Sequence, residues 1–274
     1  MSRLTMIGRS LLAGIFLALT CFGGLSTYAY EDGKAKNLRV DGMFQEVEGT
    51  VVIKNLKTDQ VYAYNYDRAK ERFTPESTFK IANALIGLEE NAVADEYEVK
   101  RWDGTVRAFE VWNRDHTLAS AMRHSAIWYY QELARDIGEE RMAYHLGEID
   151  YGNRDISGGI DTFWLDSSLR ISAEEQIAFI ERLVEEDLHF QEQTMKTVKR
   201  MMIDREEDEY VLHGKTGTRL SDLGLGWYVG YVETEKALWA FATNVDGSGT
   251  TAKGITIQIL ETMNIIDDSE ERGA

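Results

Sequence analysis

The spacing of hydrophobic and polar positions changes period twice along the chain. Gly49 to Lys54 and Val61 to Asn65 are rich in Val, Ile and Tyr around the polar turn Lys57-Thr58-Asp59, which predicts a β-hairpin. After Pro75 the spacing lengthens. Ser77 to Glu90 carries Ile81, Leu85 and Leu88 on one helical stripe behind a polar opening. Helical periodicity continues through Leu118 to Ile137, with Leu118, Met122, Trp128, Leu133 and Ile137 on the apolar side. It returns in Ser172 to Glu186, where Ser172-Ala173-Glu174-Glu175 has the form of a capping box. Strand composition then reappears at Tyr210 to Lys215, Gly226 to Glu233 and Ala237 to Val245, the last two joined by Thr234-Glu235-Lys236. Ile255 to Ile265 predicts a closing helix. The expected fold class is α/β (α+β): an antiparallel sheet assembled from both ends of the chain, with a helical subdomain of about 77–190 inserted between. No internal repeat is visible.

The first 29 residues follow different rules. Arg3 and Arg9 precede an apolar run from Leu11 to Leu19, and the small-residue pattern Thr27-Tyr28-Ala29 follows, the order of a secretory signal peptide cleaved after Ala29. The run is too short to span a bilayer comfortably, and no later segment approaches about eighteen consecutive apolar residues. The expectation is an exported protein, periplasmic or secreted, comprising residues 30–274 as one domain without stable membrane association. Cys21, the single cysteine, lies inside the signal, which excludes a disulfide scaffold, a cysteine zinc site and a catalytic thiol from the mature chain. Its neighbours Ala18-Leu19-Thr20 match a lipoprotein signal poorly.

Composition narrows the partners. With 274 residues, 43% hydrophobic and 28% charged, the chain can bury a substantial core. Its 47 acidic against 30 basic side chains give a net charge of −17, and removal of Arg3 and Arg9 with the signal takes this to −19. Such a charge repels phosphate backbones, so nucleic acid is not an expected partner.

Many sources of chemistry are missing. No glycine-rich phosphate loop, dinucleotide fingerprint or His-Glu-x-x-His motif is present. His116, His124, His145, His189 and His213 are scattered, with no second histidine or cysteine at i+3 or i+4, so no metal is expected. No Gly-x-Ser-x-Gly elbow marks a nucleophile. What remains is Ser77-Thr78-Phe79-Lys80, the sole Ser-x-x-Lys. That pattern arises by chance about once in a chain of this size, but at the opening of a helix it puts the lysine amine within reach of the serine hydroxyl. The helix N-terminus also aims backbone N–H groups where an oxyanion would form. Downstream, Lys215-Thr216-Gly217-Thr218 ends a predicted strand, and a Lys-Thr-Gly tripeptide is expected in fewer than about one in ten such chains. The two together mark serine β-lactamases and penicillin-binding proteins.

Further segments fall in order with them: Trp112-Asn113-Arg114-Asp115-His116, Ser125-Ala126-Ile127, Tyr151-Gly152-Asn153, and Gly158-Gly159-Ile160-Asp161-Thr162-Phe163-Trp164-Leu165. From about Phe73 to Ile266 the chain resembles the class D β-lactamases, the oxacillinases. The resemblance implies the penicillin-recognising serine β-lactamase/transpeptidase-like fold, with the site between a sheet domain and a helical one. It implies Ser77 as acylated nucleophile and Lys80 as general base, N-carboxylated by carbon dioxide, with no other cofactor. Ser125 would relay a proton toward the leaving lactam nitrogen, and Ile127 stands where the family usually has Val. Trp164 matches the tryptophan that holds the carboxylated lysine, and Leu165 the apolar lid. Lys215 and Thr216, with Gly217 beside them, match the residues that meet the substrate carboxylate. The backbone N–H groups of Ser77 and Thr218 would form the oxyanion hole. Tyr151 and Asn153 are family markers beside the pocket.

These parts also have a physical rationale. A free lysine, with a pKa near 10.4, is protonated at neutral pH and cannot activate a serine. Burial beside Phe79, Ile127, Trp164 and Leu165 would lower that pKa and let the neutral amine capture carbon dioxide. The resulting anion requires a donor, and an indole N–H is one. The segment Asp246 to Gly254 lacks the arginine with which oxacillinases usually pair the drug carboxylate, leaving Lys253 as the nearest cation. The expected activity is hydrolysis of penicillin-type β-lactams, conferring resistance. A penicillin sensor acylated without turnover and a D-Ala-D-Ala peptidase are the alternatives, and a homodimer is compatible with the sequence.

Overall fold

A computed structural model describes residues 35–267; the signal-peptide and Cys21 expectations lie outside them. Three strands come first, β1 (Lys36–Asn37), β2 (Gly49–Asn55) and β3 (Gln60–Tyr64), followed by α1 (Tyr66–Lys70). Next come α2 (Lys80–Glu89), the short strands β4 (Val99–Lys100) and β5 (His116–Thr117), α3 (Leu118–Arg123), α4 (Ile127–Ile137), α5 (Glu139–Glu148), α6 (Ala173–Val184) and α7 (Glu192–Met201). The chain returns through β6 (Ile203–Glu206), β7 (Tyr210–Thr218), β8 (Gly226–Thr234) and β9 (Leu238–Val245), and closes with α8 (Gly249–Thr262).

The expected sheet from both ends is present. Its order is β1-β3-β2-β9-β8-β7-β6, with β2 pairing β9 where the two halves meet. All its pairs are antiparallel except β1 with β3. Side chains alternate across this sheet as strand geometry requires. Val51, Ile53, Tyr228 and Phe241 face the layer of Ile255, Ile259 and Leu260 on α8, whereas Val52, Trp227, Val229 and Ala242 join the larger core with the helices. Covered on both faces, β2 is buried along its whole length.

Three predicted helices have different limits. The helix expected from Ser77 starts as a 3-10 turn, Glu76–Phe79, and becomes α-helical at Lys80. The periodic stretch Leu118 to Ile137 is two helices. Ser125 takes a left-handed backbone, φ +54°, and separates α3 from α4. Apolar periodicity is blind to such a break, because the stripe resumes on the same buried face. The closing helix begins at Gly249, earlier than Ile255, because Ser248 caps it by accepting from the Thr251 N–H at 3.1 Å. The capping box at Ser172 is formed as expected: its hydroxyl accepts from Glu175 N at 3.2 Å and Glu175 accepts from Ser172 N at 2.9 Å.

Candidate functional site

The turn bearing Ser77 is fixed from several sides. Trp227 on β8 donates its indole N–H to the Thr74 carbonyl at 2.9 Å, and Thr78 donates its hydroxyl to Pro75 at 2.7 Å. Gln176 on α6 donates to the Thr78 hydroxyl at 3.0 Å. Ser77 is buried at 8% exposure, and the wholly buried Lys80 donates to its hydroxyl oxygen at 2.8 Å. Burial, and then the nearby Lys215 cation, hold the Lys80 pKa well below the ordinary lysine value, with Glu76 opposing them.

The helix break aims Ser125 at the same place. Its left-handed turn brings the hydroxyl 2.6 Å from Nζ of Lys215, which also donates to the Thr216 carbonyl at 2.9 Å. Lys215 is buried, and that burial, with Lys253 nearby, lowers its pKa to about 8 against the pull of Asp204.

Strand pairing leaves one edge of β7 open here. β6 covers β7 only up to Ile203 opposite His213, and Gly214 donates to Met202 on that side at 2.8 Å. Backbone groups of alternate residues in a strand point to the same edge, so Thr216 and Thr218 present theirs along the uncovered part. Gly217 faces the Ser77 turn so closely that an added Cβ would lie 3.0 Å from the Pro75 carbonyl oxygen. Ser77, Ser125, Ile127, Thr216 and Thr218 line one cavity of about 170 Å³ together with Phe109, Trp112, His124 and Leu220.

Trp164 is fully buried, with its ring 5.3 Å from that of Phe79, and its indole N–H has no hydrogen-bond partner among the described residues. An unpaired buried donor is costly, so this N–H is a feature of the site that calls for an acceptor. Leu165 is half-buried beside it and packs on the core. Tyr151 lies under Phe79, ring centroids 5.7 Å apart, and burial pushes its phenol pKa up.

Like Phe79, Tyr151 and Leu165, two further expected residues are set back from the Ser77 cavity. Asn153 does not line the Ser77 cavity; it grips the segment after Trp164, accepting from Arg170 N and donating to the Ser168 carbonyl, both at 2.8 Å. Lys253 lies in an adjoining cavity of about 480 Å³ that shares Thr216 and includes Lys215. There its Nζ is 2.6 Å from Asp204 and 5.7 Å above the Tyr228 ring. Asp204 also accepts the Tyr228 hydroxyl at 2.6 Å, so the cation expected to meet substrate is already paired. A terminal ammonium is mobile and strongly hydrated, and it settles on a nearby carboxylate.

Sequence reading overlooked Glu76 and Asp204. Glu76 reads as an ordinary acid in a helical first turn, yet it is 2% exposed and accepts from Thr74 Oγ1 at 2.7 Å and Asp166 N at 2.9 Å. Nothing in the pattern of β6 marks Asp204. Among the described residues no group of three or more His, Cys, Asp or Glu side chains gathers in the manner of a metal site, and no helix is long and apolar enough to cross a membrane.

A sheet flanked by helices, with a Ser-Lys pair, a second serine and a lysine-bearing edge strand at one cleft, defines a penicillin-recognising protein. Residues 49–262 match the family model of the penicillin binding protein transpeptidase domain. The chain is 56% identical over 257 residues to the probable beta-lactamase YbxI of Bacillus subtilis (strain 168), covering 92% of this chain and 96% of that one. It is 40% identical over 261 residues to beta-lactamase OXA-48 of Klebsiella pneumoniae, covering 93% and 98%. The solved class D beta-lactamase BAT-2 superposes with a TM-score of 0.83 at 60% identity, covering 84% of this chain and 98% of that one. The chain belongs to the class D β-lactamase family of serine hydrolases.

Proposed function

We propose that the protein hydrolyses penicillin-type β-lactams through an acyl-enzyme on Ser77, and that it is exported by the 1–29 signal and confers β-lactam resistance. The observation that carries this reading is the 2.8 Å contact between Lys80 and Ser77, made by an amine whose charged form the site disfavours. A neutral lysine at that distance can take the hydroxyl proton as the oxygen attacks the lactam carbonyl carbon. The oxyanion that forms meets the N–H groups of Ser77 and Thr218. As the carbon–nitrogen bond breaks, the lactam nitrogen takes a proton from Ser125, which Lys215 replenishes across their 2.6 Å contact. The Lys215 cation and the Thr216 hydroxyl meet the substrate carboxylate, while Phe109, Trp112 and Leu220 offer apolar surface to the side chain.

The site fits carboxylation of Lys80. The buried Trp164 N–H has no acceptor among the described residues, and a neutral amine is the form that reacts with carbon dioxide. When carboxylated, Lys80 supplies an anionic oxygen base for both the serine and a hydrolytic water. Trp164 would hold the group through its indole.

Purified mature protein tests this directly. A penicilloyl adduct on Ser77, seen by intact-protein mass spectrometry and followed by steady release of product, is the expected result. An adduct that persists would point to a sensor, and preferential cleavage of D-Ala-D-Ala peptides to a peptidase.

A further inference from the structure

Glu76 stands immediately before the nucleophile, and the position carries two penalties. Its backbone is left-handed, φ +51°, in a non-glycine residue, and its carboxylate is buried at 2% exposure. Burial raises its pKa. A glycine would relieve the first penalty and a small apolar side chain the second. What offsets them is a set of bonds to the segment that bears Trp164. The Glu76 N–H donates to the Trp164 carbonyl at 3.0 Å, and its Oε1 accepts from the Asp166 N–H at 2.9 Å. One residue therefore grips both sides of Leu165. The same oxygen accepts the Thr74 hydroxyl at 2.7 Å, which fixes the carboxylate in place.

The rest of the surroundings tighten this junction. Asp166 is itself left-handed, φ +46°, and accepts from Ser221 Oγ at 3.0 Å. Arg219, just past β7, lies 3.8 Å from the Asp166 carboxylate. The charged groups acting on Glu76 are Lys80 from α2, Asp166 from the Trp164 segment and Arg219 from the end of β7. The Cβ that Gly217 lacks would approach Glu76 Cβ to 3.3 Å, so the Lys-Thr-Gly strand abuts the same residue.

We propose that Glu76 is a positioning residue for turnover: its carboxylate clamps the Trp164–Asp166 segment onto the nucleophile turn and thereby fixes the indole N–H that holds carboxylated Lys80. This rests on the hydrolytic reading above. The carboxylate acts as a hydrogen-bond acceptor for Asp166, so in the clamp its geometry matters more than its charge.

The test compares wild type, Glu76→Gln and Glu76→Ala for two readouts: the bicarbonate concentration that half-saturates the carbon-13 carbamate NMR signal, and the rate at which the penicilloyl adduct on Ser77 is lost. Glu76→Gln keeps an acceptor oxygen and is expected within about threefold of wild type in both, whereas Glu76→Ala, losing a buried bond, should need about tenfold more bicarbonate and lose the adduct about tenfold more slowly. Adduct formation should persist in all three. Unchanged values in Glu76→Ala overturn the proposal, as does a Glu76→Gln as impaired as Glu76→Ala, which would make charge the operative property. Should Glu76→Ala not fold, Thr74→Val removes one donor to the same oxygen and is expected to raise the bicarbonate requirement about threefold; no change there overturns the clamp. A wild type that forms no adduct at all defeats the hydrolytic reading, whereas a wild type that turns over beside an unaltered Glu76→Ala defeats this inference alone.

Discussion

Lys215 on β7 reaches the hydroxyl of Ser125 at 2.6 Å, joining the open edge of the sheet to the break between α3 and α4. Ser125 and Thr216, the neighbour of Lys215, both line the Ser77 cavity. In the proposed reaction the contact would let the buried Lys215 supply the proton that the leaving nitrogen needs.

That contact predicts a pH dependence. Lys215 must be protonated to donate, and its pKa is lowered to about 8. The value of kcat/KM for a penicillin should therefore fall as pH rises through about 8, because the cation and its carboxylate contact are lost together. Lys253 pushes this pKa down, so Lys253→Ala should move the alkaline limb to higher pH. With Lys253 held by Asp204, that variant should change KM at pH 7 by less than about threefold, while Lys215→Ala should lower kcat/KM by at least about a hundredfold. Steady-state kinetics across pH 6 to 10 separate the two; a large KM effect in Lys253→Ala would place its ammonium on the substrate.

Ser77→Ala should remove the covalent path and lower hydrolysis by about three orders of magnitude or more, with little change in thermal stability. Mass spectrometry of the variant incubated with penicillin should show no adduct. An adduct at another residue would reassign the nucleophile.

Acid should inactivate through Lys80. Burial holds its pKa well below the lysine norm and so favours the neutral amine; activity should be present above that pKa and be lost as falling pH protonates it. Added bicarbonate should restore activity lost in mildly acidic buffer. Trp164→Ala, which removes the donor proposed for a carboxyl group on Lys80, should abolish the rescue. Rates independent of bicarbonate throughout, without a carbon-13 carbamate signal, would leave a plain lysine base.

Gly214 supports the cleft at one remove. Tyr228 crosses over it to reach Asp204, and a Cβ on residue 214 would sit 2.4 Å from the phenol oxygen. Gly214→Ala should displace the ring and cost about 1–3 kcal/mol, seen as a lower midpoint in urea. An unaltered midpoint would mean that the Tyr228–Asp204–Lys253 cluster is not rigid.

The linear chain already determines much of this protein. The hairpin of β2 and β3, the capped α6 and the strands β7 to β9 follow from local alternation and turn chemistry, which act over a few residues. Ser77 and Lys80 could be paired from their spacing alone, because a helical turn fixes the distance between i and i+3. Only tertiary structure decided that Ser125 interrupts a helix, since its left-handed backbone is sustained by the contacts around it and not by its own preference. The same holds for Lys253 and Glu76. Which carboxylate captures a flexible ammonium, and which segment an acid clamps, depends on residues far along the chain: Asp204 lies on β6 and Asp166 stands ninety positions from Glu76. Hydrogen bonds and ion pairs of that reach form only when folding brings distant segments within about 3 Å, and no periodicity in the sequence records them.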